Sequence, residues 1–142
     1  MSNTFGKQSL KNLEQVDADL VRVAYQVLQV FDHSIICGHR GEAKQTEAFN
    51  AGQSKTPWPK SKHNQLPSLA IDFLPYPFDG YPNMDDGIVK YAKDTARFYA
   101  ISAAYIAVGH SLGVSLRGGF DWDKDGLFTD QKFDDIGHIE RD

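Results

Sequence analysis

The stretch Ser61-Lys-His63-Asn-Gln-Leu-Pro-Ser-Leu-Ala70-Ile-Asp72-Phe73 places a histidine in a loop and an aspartate within an apolar run. The run, Leu69–Leu74, has the length and composition of a buried strand. By strand alternation, Ala70 and Asp72 face one side of the strand, whereas Leu69, Ile71 and Phe73 face the other. An aspartate in such a run is costly to bury unless it is paired or coordinates a metal.

A second segment, Asp135-Ile-Gly-His138-Ile-Glu140, places another imidazole three residues after a carboxylate. Two histidines and one aspartate from separate parts of a chain can supply three ligands to a zinc ion that keeps its fourth position open for water. We interpret His63, Asp72 and His138 as such a set. Asp135 lies close enough in sequence to approach the same water and take its proton. The alternative is a surface His63, an Asp72 that is hydrogen-bonded to a loop, and an acidic tail around His138.

Four further residues carry charged or reactive side chains. Arg40 follows Gly38, which ends the predicted strand Ser34–Gly38. A guanidinium there can stabilise an oxyanion or bind a substrate carboxylate with two hydrogen bonds, and a surface salt bridge is the alternative. Cys37 is interpreted as a core residue. His33 and His110 are interpreted as helix-terminal or surface residues.

An acidic segment, Asp121-Trp-Asp-Lys-Asp-Gly-Leu-Phe-Thr-Asp130, repeats acids at positions 1, 3 and 5 and has glycine at position 6. This is the pattern of the first half of an EF-hand calcium loop. Position 12, where a glutamate is expected, is Lys132, so Asp130 or Asp134 must supply the missing oxygens. The alternative is an acidic turn. The predicted calcium ligands are Asp121, Asp123, Asp125, Leu127 and Asp130.

Composition limits the class of protein. A chain of 142 residues and 15.9 kDa predicts one domain, residues 1–142. The net charge of −4 argues against nonspecific binding to nucleic acid or to an anionic membrane. The single cysteine excludes an intramolecular disulfide and a cysteine-based metal cluster. We see no secretion signal and no apolar run long enough to span a bilayer, so we expect synthesis in a cytoplasm.

The periodicity of apolar residues predicts an α+β fold, in which helices pack on one side of a small, mostly antiparallel sheet. Asp17 and Asp19 are both candidate N-caps of the first long helix. Residues 53–67 form a long loop that ends near His63, which favours a functional loop. The predicted elements are a helix from about Leu20 to Val30, strand Ser34–Gly38, helix Glu42–Asn50, strand Leu69–Leu74, helix Ile88–Leu112, and strands Val114–Leu116 and Ile136–Ile139.

The order of these motifs resembles one family. Gly38-His-Arg40, Ser61-Lys-His63, Ala70-Ile-Asp72 and Gly137-His138-Ile-Glu140 occur in the order typical of the VanY-like D-alanyl-D-alanine metallopeptidases. The similarity is greatest to the small phage L-alanyl-D-glutamate endolysins and extends from about Phe5 to Glu140. The fold implied by this resemblance is shared by hedgehog-type signalling domains.

The resemblance implies roles for particular residues. Zinc would be held by His63, Asp72 and His138, with Asp135 as the catalytic acid and base. Arg40 would lie near the scissile carbonyl, and Gln45 and Ser61 would support the site and contact substrate. Some of these phage enzymes carry an acidic calcium loop, which favours Ca²⁺ in the segment that starts at Asp121. The insertion Asn64–Ser68 departs from the family pattern, as does Gly41, where the family often has threonine.

The resemblance also implies a function. We expect a zinc peptidase that cleaves the L-Ala-D-Glu bond of the peptidoglycan stem peptide, as a phage or prophage endolysin. It would be a monomer without nucleic-acid binding or membrane insertion, and it would reach the wall from the host cytoplasm through a holin. One alternative is a D-Ala-D-Ala carboxypeptidase or dipeptidase. Another is a zinc-stabilised binding domain without turnover.

Overall fold

The structure is a computed structural model that describes residues 2–127 and 135–142. Within these residues, four strands form one fully antiparallel sheet. In the sheet they lie in the order β1 (His33–Cys37), β2 (Ala70–Pro75), β4 (Asp135–Arg141) and β3 (Leu116–Gly119). The predicted α+β fold with an antiparallel sheet is therefore confirmed. No described helix has the length and apolarity needed to cross a membrane. The elements are α1 Lys7–Leu13, α2 Ala18–Leu28, β1 His33–Cys37, α3 Glu42–Asn50, β2 Ala70–Pro75, α4 Ile88–Ser111, β3 Leu116–Gly119 and β4 Asp135–Arg141, with 3-10 turns at Lys62–Asn64 and Met84–Asp86.

Helix α2 begins at the aspartate cap and buries one apolar stripe. The Asp17 carboxylate accepts a hydrogen bond of 3.1 Å from the Leu20 backbone N–H, which identifies Asp17, rather than Asp19, as the N-cap. The helix ends at Leu28, before the predicted Val30, which is 70% exposed. The buried residues recur at three- and four-residue steps: Leu20, Val23, Ala24, Val27 and Leu28.

Helix α4 covers the core only along its second half. Ile88, the first residue of the predicted helix, is 70% exposed, whereas Ile101 is a core residue at 2% exposed. The helix ends in a turn around Gly113, in which the backbone N–H of Val114 bonds to the Gly109 carbonyl. The predicted strand Val114–Leu116 was therefore wrong in its start, because Val114 belongs to the helix cap and β3 begins at Leu116.

Strand β2 separates the core from the opposite face of the sheet. Ile71 and Phe73 are fully buried in the hydrophobic core, together with Ile139 of β4 and Tyr105 of α4. Asp72, between them, is partly exposed on the other face, as strand alternation predicts. Helix α3 buries only Gln45.

Strand β1 contains an irregularity that changes the environment of one predicted core residue. The pairing with β2 shifts register between Ile35 and Cys37, so Cys37 lies opposite Asp72. Cys37 is partly exposed and its Sγ lies 3.8 Å from Nδ1 of His63. The interpretation of Cys37 as a core residue was wrong, because the bulge turns it toward the polar face.

His33 is a core residue at the start of β1 and not the surface residue predicted. It is 2% exposed, and its Nδ1 and Nε2 lie 2.8 Å from the Phe31 carbonyl and 2.6 Å from the Tyr105 hydroxyl. The N–H on Nδ1 donates to the carbonyl, so Nε2 accepts from the tyrosine. Burial in the packed core lowers the pKa of His33 and favours this neutral form of the imidazole.

Acid is expected to destabilise the fold through His33. Burial lowers the pKa of His33 below 6.5, against smaller opposing effects of the Phe31 carbonyl and Asp32. The unfolded chain therefore binds a proton at His33 more readily than the folded protein does. The stabilisation that neutral His33 gives to the fold is complete above pH 6.5 and is lost as pH falls below it. Urea midpoints measured from about pH 7.5 to about pH 5 should fall less steeply for His33→Gln than for the wild type. The exposed His110→Gln variant is the control, and identical slopes for all three proteins would contradict the prediction.

Candidate metal centre and active site

Asp72 is the centre of a cluster of charged side chains on the polar face of the sheet. Its Oδ1 lies 3.1 Å from Nδ1 of His138 and 3.3 Å from Nε2 of His63. Its Oδ2 lies 3.4 Å from a guanidinium nitrogen of Arg40. Antiparallel pairing places His138 directly opposite Asp72 on β4. Three residues that are far apart in sequence thus meet at one carboxylate.

His63 reaches the cluster on a 3-10 turn that Ser61 caps. The Ser61 hydroxyl accepts from the His63 backbone N–H at 3.2 Å, and the Ser61 N–H donates to the Asn64 side chain at 3.1 Å. Nδ1 of His63 donates to the Gly38 carbonyl at 2.8 Å. Nε2 is therefore the nitrogen left for the site. It is buried and, within the described part of the chain, has no hydrogen-bond partner.

His138 is oriented by Glu140, a residue whose role was not predicted from the sequence. Nε2 of His138 donates to Glu140 Oε1 at 2.8 Å, and Glu140 Oε2 accepts from Arg117 at 2.7 Å. This leaves Nδ1 of His138 directed at Asp72. The spacing of two residues puts His138 and Glu140 on the same face of a strand, so strand periodicity was the signal that could have identified Glu140.

The donor atoms of the cluster fall into two overlapping groups that could each hold a metal ion: Cys37, His63 and Asp72, and Asp72, Asp135 and His138. Zinc bonds to imidazole nitrogen and carboxylate oxygen are about 2.0–2.1 Å long, so two ligand atoms of a tetrahedral site lie about 3.3 Å apart. The 3.1 Å and 3.3 Å separations around Asp72 Oδ1 match this distance. The second nitrogen of each histidine is held by a protein oxygen, as is typical of ligating histidines. An unpartnered buried nitrogen facing a carboxylate is explained if a cation binds between them.

The charges of the cluster also favour a cation. Burial opposes protonation of His63, but the charge and hydrogen bond of Asp72 and the contact with Cys37 together outweigh it and raise the pKa of His63 to about 10. Burial likewise opposes protonation of His138, and its hydrogen bonds to Asp72 and Glu140 raise its pKa to about 9. Burial alone would raise the pKa of Asp72, yet the two histidines hold it well below its usual range. A divalent cation could take the place of the ring protons of His63 and His138 and balance the negative charge of Asp72.

Asp135 lies beside this cluster at the start of β4. Its Oδ2 is 3.9 Å from Nδ1 of His138, and its side chain is 39% exposed. Burial and the negative charge of Asp72 raise the pKa of Asp135. Gly119 pairs with Asp135 across the β3–β4 ladder, and a Cβ at Gly119 would overlap the Asp135 carbonyl. Glycine is therefore needed for β3 to approach β4 closely at this point.

Arg40 is held in place by a buried glutamine. Its NH1 donates to Gln45 Oε1 at 3.0 Å, and its backbone N–H donates to the His63 carbonyl at 2.8 Å. Gln45 is fully buried and also accepts from the Asn64 side chain at 3.1 Å. The Gln45 side-chain nitrogen also donates to Ser54 and to the Thr56 carbonyl, which line the cleft next to the site, so the predicted contact of Gln45 with substrate stays a prediction.

The insertion Asn64–Ser68 is anchored at both ends. The Asn64 side chain donates to the Arg40 carbonyl at 3.0 Å, and the Ser68 hydroxyl donates to the Ala70 carbonyl at 2.8 Å. Both residues are buried, whereas residues 65–67 are exposed. The insertion therefore supports the site at its ends and projects only its middle into solvent.

The cluster opens into a cleft of about 780 Å³. The cleft walls include the loop residues 52–56 and 60–62 and the side chains of Tyr81, Arg117 and Trp122. A smaller recess of about 260 Å³ adjoins it and shares Asp72, Tyr81 and Asp135. Tyr81 was not identified from the sequence, where it stands in a turn-rich loop without a motif.

The acidic segment forms a compact turn in its described part. One oxygen from each of Asp121, Asp123 and Asp125 lies within 4.8 Å of the others. The Asp121 carboxylate also accepts from the backbone N–H of Asp125 at 3.3 Å and of Gly126 at 2.9 Å. The predicted ligand Asp130 lies outside the described residues, so the predicted calcium site stays a prediction.

The chain is similar to known proteins along nearly its whole length. The model of the phage L-alanyl-D-glutamate peptidase family matches residues 1–141. The L-alanyl-D-glutamate peptidase of Escherichia phage T5 is 34% identical over 146 residues, which cover 99% of this chain and 98% of that protein. The crystal structure of the L-Ala D-Glu endopeptidase ChiX of Serratia marcescens has the same fold, with a TM-score of 0.69 at 23% identity over 99% of this chain and 91% of that one. This chain belongs to the phage L-alanyl-D-glutamate peptidase family.

Proposed function

We propose that this protein is a zinc peptidase that hydrolyses the L-Ala-D-Glu bond of the peptidoglycan stem peptide. The observation that carries the proposal is the cluster around Asp72, in which nitrogens of His63 and His138 lie within 3.3 Å of one carboxylate oxygen. Its ligand types are those of a catalytic zinc site with three protein ligands, and its donor atoms form two groups that share Asp72. The membership of the phage L-alanyl-D-glutamate peptidase family supports the choice of bond.

In this proposal His63, Asp72 and His138 hold the zinc, which when bound polarises the scissile carbonyl and activates water. Asp135 accepts the proton of the attacking water and returns it to the leaving amine, a role that suits a carboxylate whose pKa is raised by burial and by Asp72. Arg40 donates hydrogen bonds to the developing oxyanion from a side chain fixed by Gln45. Ser61 supports His63 through its backbone.

The scissile bond is tested by digesting purified peptidoglycan and measuring product masses. The proposal expects a cut that leaves L-Ala on the muramyl side and a new amino terminus on D-Glu. Chelation should abolish this product, and zinc should restore it. Free D-Ala as the only product would favour the carboxypeptidase instead. Zinc binding without any product would favour a non-catalytic binding domain.

We further propose that residues 1–142 form one catalytic domain that acts as a monomer and reaches the wall through a holin. The family model spans residues 1–141, which supports one domain. The peptidoglycan substrate implied by the family lies outside the membrane, so a protein made in the host cytoplasm needs a route of release.

Calcium binding by the acidic turn is a separate proposal. Asp121, Asp123 and Asp125 supply three oxygens close together, as calcium requires. Calcium added to zinc-loaded, chelator-washed protein should raise its thermal midpoint, and Asp123→Asn should remove this response. Asp85→Asn, an exposed aspartate elsewhere, is the control. A wild-type thermal midpoint that does not change on adding calcium would show that the segment is an acidic turn and not a calcium site.

A further inference from the structure

Tyr81 lies where the cleft and the smaller recess meet. Within the described part of the chain, the two cavities have three lining residues in common: Asp72, Tyr81 and Asp135. Asp72 is a proposed metal ligand and Asp135 is the proposed acid and base, so Tyr81 stands beside groups that act on the scissile bond. The other two residues are carboxylates, and Tyr81 therefore brings a hydroxyl donor to this point.

The ring of Tyr81 is held by aromatic residues. It stacks on Phe98 of α4, with ring centroids 6.1 Å apart and ring planes at 16°, and it meets Phe78 edge to face at 5.2 Å. Phe98 is 2% exposed and lies 6.0 Å, between ring centroids, from Phe73, the neighbour of Asp72 in β2. Aromatic pairs at these distances stabilise a structure beyond the area that they bury. The loop that carries Tyr81 is therefore tied to the core next to Asp72.

The hydroxyl of Tyr81 is free to bind a ligand. The residue is 62% exposed, and its hydroxyl has no hydrogen-bond partner among residues 2–127 and 135–142. Partial burial and the negative charges of Asp72 and Asp135 raise the pKa of Tyr81 above its ordinary value of 10.0. The hydroxyl therefore keeps its proton throughout the neutral range and acts there as a donor.

The proposed reaction needs such a donor at this point. Attack of water on the scissile carbonyl develops negative charge on the carbonyl oxygen, and donors aimed at that oxygen lower the barrier. Arg40, the donor proposed above, also faces Asp72 at 3.4 Å, so part of its charge is already balanced. A carbonyl oxygen has two lone pairs and can accept from a second donor at the same time.

We propose that the Tyr81 hydroxyl is a second donor to the oxyanion of the scissile carbonyl, together with Arg40. The inference rests on the proposed function and deepens it, because it assigns a catalytic residue to the loop between β2 and α4. Tyr81 keeps its own proton in this step. The proton of the attacking water goes to Asp135 and then to the leaving amine.

Steady-state kinetics of Tyr81→Phe on an acylated L-Ala-D-Glu-L-Lys peptide test the inference. Phenylalanine retains the ring contacts and lacks only the hydroxyl, so zinc content and thermal midpoint should equal those of the wild type. We expect kcat to fall by about 10- to 100-fold with KM within about twofold, as for an interaction made only in the transition state. Tyr76→Phe is the control, because Tyr76 is 60% exposed and lines neither cavity, and its kinetics should match the wild type.

A phosphinate analogue of the same peptide gives a second readout, because its anionic oxygen stands for the oxyanion. Its Ki should rise for Tyr81→Phe by about the factor by which kcat/KM falls. An unchanged kcat for Tyr81→Phe, or a rise in KM alone, would refute the donor role and leave the peptidase activity intact. If the wild type cleaves the L-Ala-D-Glu bond neither in the peptide nor in peptidoglycan, the proposed function fails and this inference fails with it.

Discussion

Replacing Asp135 by asparagine is expected to lower kcat by about 100- to 10,000-fold, because the amide cannot accept the proton of the attacking water. The fold and the metal content should remain those of the wild type. Asparagine has nearly the shape of aspartate, and Asp135, whose carboxylate lies 3.9 Å from Nδ1 of His138, is proposed to accept a proton and not to hold the metal. KM should change little, since the side chain acts on the reacting atoms and does not hold the substrate.

Activity, zinc content and thermal midpoint are measured together for Asp135→Asn and for Asp85→Asn, an exposed aspartate on the 3-10 turn Met84–Asp86. The control should match the wild type in all three. Wild-type hydrolysis by Asp135→Asn would show that another group moves the proton. Loss of zinc by this variant would show that Asp135 is a ligand instead.

Replacing Asp72 by asparagine is expected to have a different and broader effect. One oxygen of Asp72 lies within 3.3 Å of both histidines, and the other lies 3.4 Å from Arg40. The neutral amide removes the charge that favours a cation at this point. We therefore expect both zinc content and hydrolysis to fall to background, whereas Asp135→Asn should lose only hydrolysis.

Glu140→Gln gives an intermediate case between these two variants. Glu140 orients His138 through a 2.8 Å hydrogen bond but does not face Asp72. Changes to groups that orient a metal ligand typically weaken metal affinity by about 10- to 100-fold. Titration with a competing chelator should place Glu140→Gln between the wild type and Asp72→Asn. Zinc affinity of Asp72→Asn equal to that of the wild type would contradict the proposed ligand set.

The parts of the fold that depend on local pattern could be predicted from the sequence. Strand β2 is the clearest case, since alternation alone put Asp72 on the face opposite Ile71 and Phe73. Helix α2 is another, because its apolar residues recur at helical spacing and an aspartate caps it. The ligand set depended on residue types and on motif order, because no local rule brings residues 63, 72 and 138 together.

The environments that the sequence did not reveal come from features that only the tertiary structure creates. The bulge in β1 turns Cys37 to the polar face, and no residue in the strand signals it. The burial of His33 depends on the Tyr105 hydroxyl, 72 residues later in the chain. A glutamine such as Gln45 is usually exposed on a helix. Here it is buried, and its side-chain oxygen accepts hydrogen bonds from Arg40 and Asn64. Contacts with other parts of the chain set all three environments.

The place of β4 in the sheet governs when the protein can become active during its synthesis. Of the described elements, β4 is translated last, yet it lies between β2 and β3 and supplies His138 opposite Asp72. A ribosome-bound chain that lacks β4 has open edges on two strands and an incomplete ligand set. Open edges invite pairing with other chains, so such chains are prone to aggregate. A nascent chain therefore lacks one of the three proposed metal ligands, His138, until the inner strand inserts between β2 and β3.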